Sequence, residues 1–218
     1  MHRNGSALQC AIMPTIGNPD RTAVLALHYQ NEVLHPDGAI RLGVAKGDEG
    51  RSAVIGAATR LLAGARKLGV PVLHVRIAFG PGHRDVIQNC TIFRNVAAGR
   101  AMVDGSWGAE FYKGMAPVAG ETVILHRRVN AFYQTGLQEC LDRLGIGHLV
   151  IAGVATNSVV ETTGRHAADV GWLVTVARDA CSAADRDLHR AALANMALLG
   201  EVEAVDAIVA RNFDRSHP

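Results

Sequence analysis

Long apolar runs, paired cysteine motifs and blocks of like charge are all missing from this 218-residue chain. No stretch of about eighteen apolar residues occurs, so no membrane span and no membrane partner are expected. The four cysteines, Cys10, Cys90, Cys140 and Cys181, stand far apart and form no C-x-x-C pair. Such spacing offers neither a zinc site nor a disulfide framework and suits a reducing compartment, so a cytoplasmic location is expected. Cys140 falls in an apolar helical stretch and reads as a buried thiol. Lys and Arg total 22 against 20 Asp and Glu, and they are scattered. A nucleic-acid partner would need a clustered basic face, so none is expected. Repeats, linkers and low-complexity segments are absent too. Residues 1–20 carry Arg3, Asn4, Asn18 and two prolines with no sustained apolar core. They read as an N-terminal extension, not as a secretory signal.

What is present is an ordinary globular balance, 49% hydrophobic and 19% charged residues. A chain of this length buries a substantial core without disulfides or metal staples, and one domain over residues 21–218 is expected. Short apolar runs alternate with helical patterns. Strands are expected at residues 22–28, 71–77, 122–126, 147–153 and 172–177. Helices are expected at residues 51–68, closed by Gly69 with Pro71 beyond, and at 134–144, 157–170 and 185–199. A short strand and a terminal helix complete the chain. Residues 78–120 carry Gly, Pro and Asn punctuation without a clear period and read as a long excursion, a feature that in compact domains is usually functional or interface-forming.

Strand-then-helix order with wholly apolar strands implies an α/β domain, a three-layer α/β/α arrangement around a mainly parallel, Rossmann-like sheet of five or six strands. In such a sheet the binding crevice lies at the carboxyl ends of the strands, near the point where strand order reverses. His28, Arg76, His126 and the turn after Gly153 are therefore the positions at which to look for chemistry.

Four segments carry a more specific signal. They are residues 23–38 (AVLALHYQNEVLHPDG), 69–76 (GVPVLHVR), 123–132 (VILHRRVNAF, followed by Thr135-Gly136-Leu137) and 153–172 (GVATNSVVETTGRHAADVGW, with ARDAC at 177–181). In order and separation they resemble the isochorismatase-like hydrolase superfamily, over nearly the whole chain beyond residue 20. The resemblance implies, in most members, an Asp–Lys–Cys triad in which a thiolate attacks an amide carbonyl and backbone N–H groups at a helix start hold the oxyanion. Here the aspartate position holds His28, the lysine position His126 and the cysteine position Val159. Valine has no nucleophile, so the family's thiol mechanism cannot run on this chain. Some members lack the cysteine and protonate a vinyl ether from the aspartate, but that aspartate is missing as well. The resemblance also implies a cis peptide between Val154 and Ala155, and a site-closing loop at residues 104–110 (DGSWGAE).

Two imidazoles at the two catalytic positions can divide acid and base work, because histidine titrates near neutral pH. The alternative reading is a pair of hydrogen-bonded pocket histidines left after chemistry was lost. Ser158 precedes Val159, and on a regular helix one residue turns a side chain by roughly 100°, away from the site. A metal held by His28, Glu32 and His126 is a third option, disfavoured because the stretch leaves a strand for a loop and His83 stands alone; no metal or cofactor is expected. Arg76, Arg127 and Arg128 are candidate carboxylate anchors, each with an ordinary structural role as its alternative; Arg76 is the one placed in the site, while Arg128 matches a commonly basic position of the resembled family, which favours a structural role for it. Ala155, Val159, Trp107 and Phe132 are expected to line the binding site, whereas Asp20 and Asp179 read as structural. The expected protein is a hydrolase of a small polar metabolite, assembled as a dimer or tetramer. Its competitor is a non-catalytic relative that binds a metabolite or a partner subunit.

Overall fold

The apolar runs pair into one parallel sheet in the computed structural model, which describes residues 18–40, 43–44 and 50–214. Six strands form it: β1 (Asn18–Leu27), β2 (Val72–Ile77), β3 (Thr122–His126), β4 (Ile146–Gly153), β5 (Leu173–Ala177) and β6 (Glu201–Glu203). Their spatial order is β3-β2-β1-β4-β5-β6, and every pairing is parallel. The chain thus winds outward one way from β1 and then returns to wind the other way from β4. The reversal puts the carboxyl ends of β1 and β4 side by side, where a parallel α/β sheet leaves its crevice.

The central strands are buried on both faces because helices cover both. Val24, Ala26, Val150 and Ala152 point to a layer built from α2 (Arg51–Leu68), α3 (Thr91–Ala98) and α7 (Val205–Ala210). Leu25, Leu27, Leu149 and Ile151 point the other way, to α4 (Leu137–Arg143), α5 (Glu161–Val170) and α6 (Arg186–Met196). Alternation along each strand therefore divides the core into two apolar clusters, as the period-2 geometry of a strand requires. The α/β/α architecture is the one the strand-helix rhythm implies.

Element boundaries depart from the sequence reading at four places. β1 begins at Asn18, inside the stretch expected as an extension, and Asn18 pairs with Ile146 across a register shift before Thr22; the rest of that extension lies outside the described residues. The excursion after β2 contains α3, whose Phe93 and Val96 are buried. The fourth helix starts only at Leu137, because Gln134 takes a left-handed φ of 53°. The segment after β4 is not one regular helix: a π turn (Thr156–Val160) precedes α5. Helix α6 is capped by Asp185, whose carboxylate accepts from the Asp187 and Leu188 amides.

Among the described residues no helix is long and apolar enough to cross a membrane.

Candidate functional site

Two turns at the carboxyl end of the sheet, after β1 and after β4, build the site together with His126 at the end of β3. At the end of β1, His28 takes a left-handed φ of 57° and turns the chain off the sheet, while its amide still donates to Val75 O at 2.9 Å. Gln30, fully buried, then locks two segments together. Its side-chain amide donates to Ile77 O (2.9 Å) and Ala109 O (2.7 Å), and its Oε1 accepts from the Ile77 amide (2.9 Å). Asn31 follows, donating from Nδ2 to Trp107 O and from its backbone to Glu110 O. The loop at residues 104–110 is thereby fastened beside the end of β1. At the end of β4, Gly153 sits so close to β1 that a Cβ there would lie 2.3 Å from Leu27 O. The Val154–Ala155 peptide is cis, as the family resemblance implied.

His28 and His126 meet. Their Nε2 atoms are in hydrogen-bond contact, with ring centroids 4.7 Å apart and planes inclined by 38°. His126 is buried behind His28, and its Nδ1 donates to Asn130 O at 3.4 Å. Burial, reinforced by the adjoining His126 ring, holds the His28 imidazole well below its ordinary pKa of 6.5, against an opposing hydrogen bond with the Val154 backbone. Burial likewise lowers His126 to about 4, again opposed by its backbone partner, Asn130. Both rings are therefore neutral at physiological pH, and one donates to the other.

His28 forms part of the wall of a cavity of about 50 Å³. Its other walls are mostly hydrocarbon: Val33, Ile40, Ile77, Ile92, Phe93, Val96, Met102, Val129, Val154 and Ala155, with Gly43. Arg128 and Ser158 are the remaining polar contributors among the described residues. Of the residues expected from the sequence to form the site, His28 and Ala155 reach this cavity, and His126 stands one ring behind.

The others lie elsewhere. Val159 is buried in the opposite apolar cluster, as is Phe132, which stacks between Trp172 and His166. Trp107 is 48% exposed and meets His35 edge-on. Arg76 is paired with Asp104 at 2.5 Å, and Arg127 with Asp85 at 2.8 Å. Two residues reach the cavity against the sequence reading. Ser158 does so because the π turn, in which the Val160 amide reaches back to Ala155 O, breaks the regular rotation assumed for a helix. Arg128 does so with its guanidinium over the Phe93 ring and, among the described residues, on no carboxylate.

Among the described residues no cysteine lines the cavity. Cys181 is buried and its thiol is pushed up to about 12, chiefly by burial. Cys140 packs in the far cluster, and Cys90 precedes α3; none of the three contributes to the cavity wall. Cys10 lies outside the described residues. Among those residues no group of three His, Cys, Asp or Glu side chains gathers as a metal cage requires, so His28, Glu32 and His126 do not form one. His83 is a satisfied core histidine bonded to Ala101 O at 2.7 Å.

Comparison with known proteins bears on this arrangement. The family model described as the isochorismatase domain matches residues 22–207. A protein of Methylobacterium radiotolerans named ureidoacrylate amidohydrolase RutB is 31% identical over 207 residues, covering 88% of this chain and 79% of that protein. The maleamate amidohydrolase of Pseudomonas putida is 31% identical over 141 residues, 65% of each chain. Among solved structures, an isochorismatase family protein from Desulfovibrio vulgaris superposes with a TM-score of 0.78 at 26% identity, covering 88% of this chain and 98% of that one. A cysteine hydrolase from Pseudomonas syringae reaches 0.79 at 22% identity, covering 89% and 93%, and shares the fold.

Proposed function

This chain belongs to the isochorismatase family, and from that premise we propose that it hydrolyses a small polar metabolite at the cavity beside His28, without a covalent thioester. The observation that carries the reading is the contact between His28 and His126, one ring in the cavity wall and the other buried behind it. The hydrolase class comes from the relatives, which are named as amidohydrolases; the departure from a thiol mechanism comes from Val159.

Tautomer logic assigns the roles. With His126 Nδ1–H on the Asn130 carbonyl, His126 Nε2 carries a lone pair and accepts from His28 Nε2–H. His28 Nδ1 is then left with a lone pair. It takes a proton from a water whose oxygen attacks the substrate's carbonyl carbon, and the imidazolium formed is stabilised by its bond to the Val154 backbone, against the opposing effect of burial and of the His126 ring. As the carbon–nitrogen bond breaks, the same proton passes to the departing amine. His126 orients the base through the contact between the two Nε2 atoms, which makes it a positioning residue.

The test uses a panel of amides, N-carbamoyl compounds and vinyl ethers, followed by the His28→Asn and His126→Gln variants on any substrate turned over. A loss of about 100-fold or more for His28→Asn is expected, the ordinary contribution of general acid–base catalysis. Wild-type rates in both variants would overturn the assignment.

A second reading, a non-catalytic relative that binds a metabolite, is favoured by one observation: the nucleophile position is hydrocarbon, Val159, buried to 1% exposure. Absence of turnover across the panel, together with ligand-induced thermal stabilisation, would select it. Assembly as a dimer or tetramer and a cytoplasmic location remain part of the proposal, the first tested by light scattering and the second by fractionation.

A further inference from the structure

The three arginines that end strands near the site differ in one respect. Arg76 and Arg127 each meet a carboxylate, Asp104 at 2.5 Å and Asp85 at 2.8 Å. Arg128 meets none among the described residues. Its Nη1 donates to the Ile87 carbonyl (3.1 Å) and its Nη2 to Asn89 Oδ1 (2.8 Å), both neutral acceptors. Its guanidinium carbon lies 4.2 Å from the centre of the Phe93 ring. A guanidinium has five N–H donors in a rigid fork, so three remain after these two bonds. Phe93 and Arg128 are both cavity wall.

Resting on the cavity as the site of chemistry, we propose that Arg128 is its anion anchor and that the ligand is a small carboxylate with a hydrocarbon body. A cation held in place by a ring face and two neutral acceptors is oriented without being neutralised, which is what bidentate carboxylate recognition needs. The hydrocarbon walls then suit the rest of the ligand. Size follows from the cavity: about 50 Å³ is room for roughly three to five water-sized centres, which limits the enclosed part of the ligand to a short chain. The histidine pair adds no positive charge, because burial keeps both rings neutral. Arg128 is thus the one cation in the cavity wall among the described residues.

The probes are butyrate, its neutral isostere butyramide, and inorganic phosphate, titrated into the whole protein by calorimetry or NMR. Butyrate is expected to bind at least tenfold tighter than butyramide and tighter than phosphate. Arg128→Met, which keeps an apolar stem without the charge, should remove that tenfold preference and leave butyramide binding unchanged. Arg127→Met should alter neither. Should Arg128→Met fail to fold, Arg128→Lys keeps a charge without the fork, and a several-fold weakening of butyrate alone is expected. Equal binding of butyrate and butyramide, undiminished butyrate binding in the folded Arg128 variants, preference for phosphate, or no binding of any probe would each overturn the anchor. The His28→Asn/His126→Gln double variant separates this from the hydrolase reading. Butyrate binding through Arg128 that survives there, in a protein without turnover on any substrate, leaves the anchor standing and hydrolysis refuted. Histidine-dependent turnover with no dependence of butyrate on Arg128 does the reverse.

Discussion

The neutral histidine pair should make the protein acid-labile in a way that can be calculated. His126 is held at about 4 in the folded protein against an ordinary 6.5. A histidine with a lowered folded pKa binds its proton more readily when unfolded, so its effect is small above the unfolded value. The destabilisation grows as pH falls from about 6.5 and is complete below about 4. At 1.36 kcal/mol per pKa unit the full effect is about 3 kcal/mol, and about 2 kcal/mol of it falls between pH 7 and pH 4.5. His28, lowered in the same direction, adds to that floor. The perturbation is the His28→Asn/His126→Gln double variant, with Asn chosen because it tolerates the left-handed φ of 57° at position 28. Denaturant unfolding read by the buried Trp172 gives the unfolding free energy at each pH. Wild type minus variant should fall by about 2 kcal/mol or more from about pH 7 to about pH 4.5. Other titrating groups are common to both proteins and cancel in the difference. A difference constant with pH to within about 0.5 kcal/mol would refute the claim that these rings are buried neutral.

The same shift sets the acid limb of any activity: a base that must be unprotonated, with its pKa lowered, moves that limb to below the ordinary histidine value of 6.5, and a limb in the pH–rate profile above it would contradict the role of His28. Gly153→Ala should cost about 3 kcal/mol or more, measured by denaturant unfolding, because its Cβ would meet Leu27 O at 2.3 Å and its φ is 155°. Glu121→Gln should destabilise by about 2 kcal/mol in the same assay, since the carboxylate accepts from Arg66 twice, from the Val118 amide and from His74. Glu121 is lowered to about 2, so its contribution is present above the usual carboxylate range and is lost as pH falls from about 4.5 to about 2; that part of the acid loss should disappear in the variant.

How far the fold could be read from sequence depended on where each element's stability comes from. The strands at the centre of the sheet are buried on both faces, so they are nearly continuous Val, Leu, Ile and Ala and announce themselves. The ends of α2 and α5 were equally plain, because Gly69 and Gly171 take the left-handed cap that favours glycine. Helix α3 was not legible: it is eight residues long, starts at Cys90 without a side-chain cap, and owes its place to Phe93 and Val96 packing under the loop. The start of β1 was hidden for a related reason, since Asn18, Pro19 and Asp20 have no apolar pattern, and Asn18 meets Ile146 of β4 across a register shift.

In the site, the pair was legible because strand ends alone fix it: register carries Ile77 on β2 opposite His126 on β3, and β2 lies beside β1. The choice among arginines was not. It turns on which acids reach Arg76 and Arg127 across separations of 28 and 42 residues, and no local pattern records that. The charge balance joins the two halves of the argument. His28 and His126 set imidazole against imidazole, and burial keeps both neutral, so neither ring leaves an unpaired charge in the wall. A charged residue at only one of the two positions would do so, which ties the residues at 28 and 126 to each other. With the pair neutral, the proposed anionic ligand would meet, among the described residues of the cavity wall, a single cation, Arg128. The proposed chemistry at His28 and the proposed recognition at Arg128 are then separable by mutation.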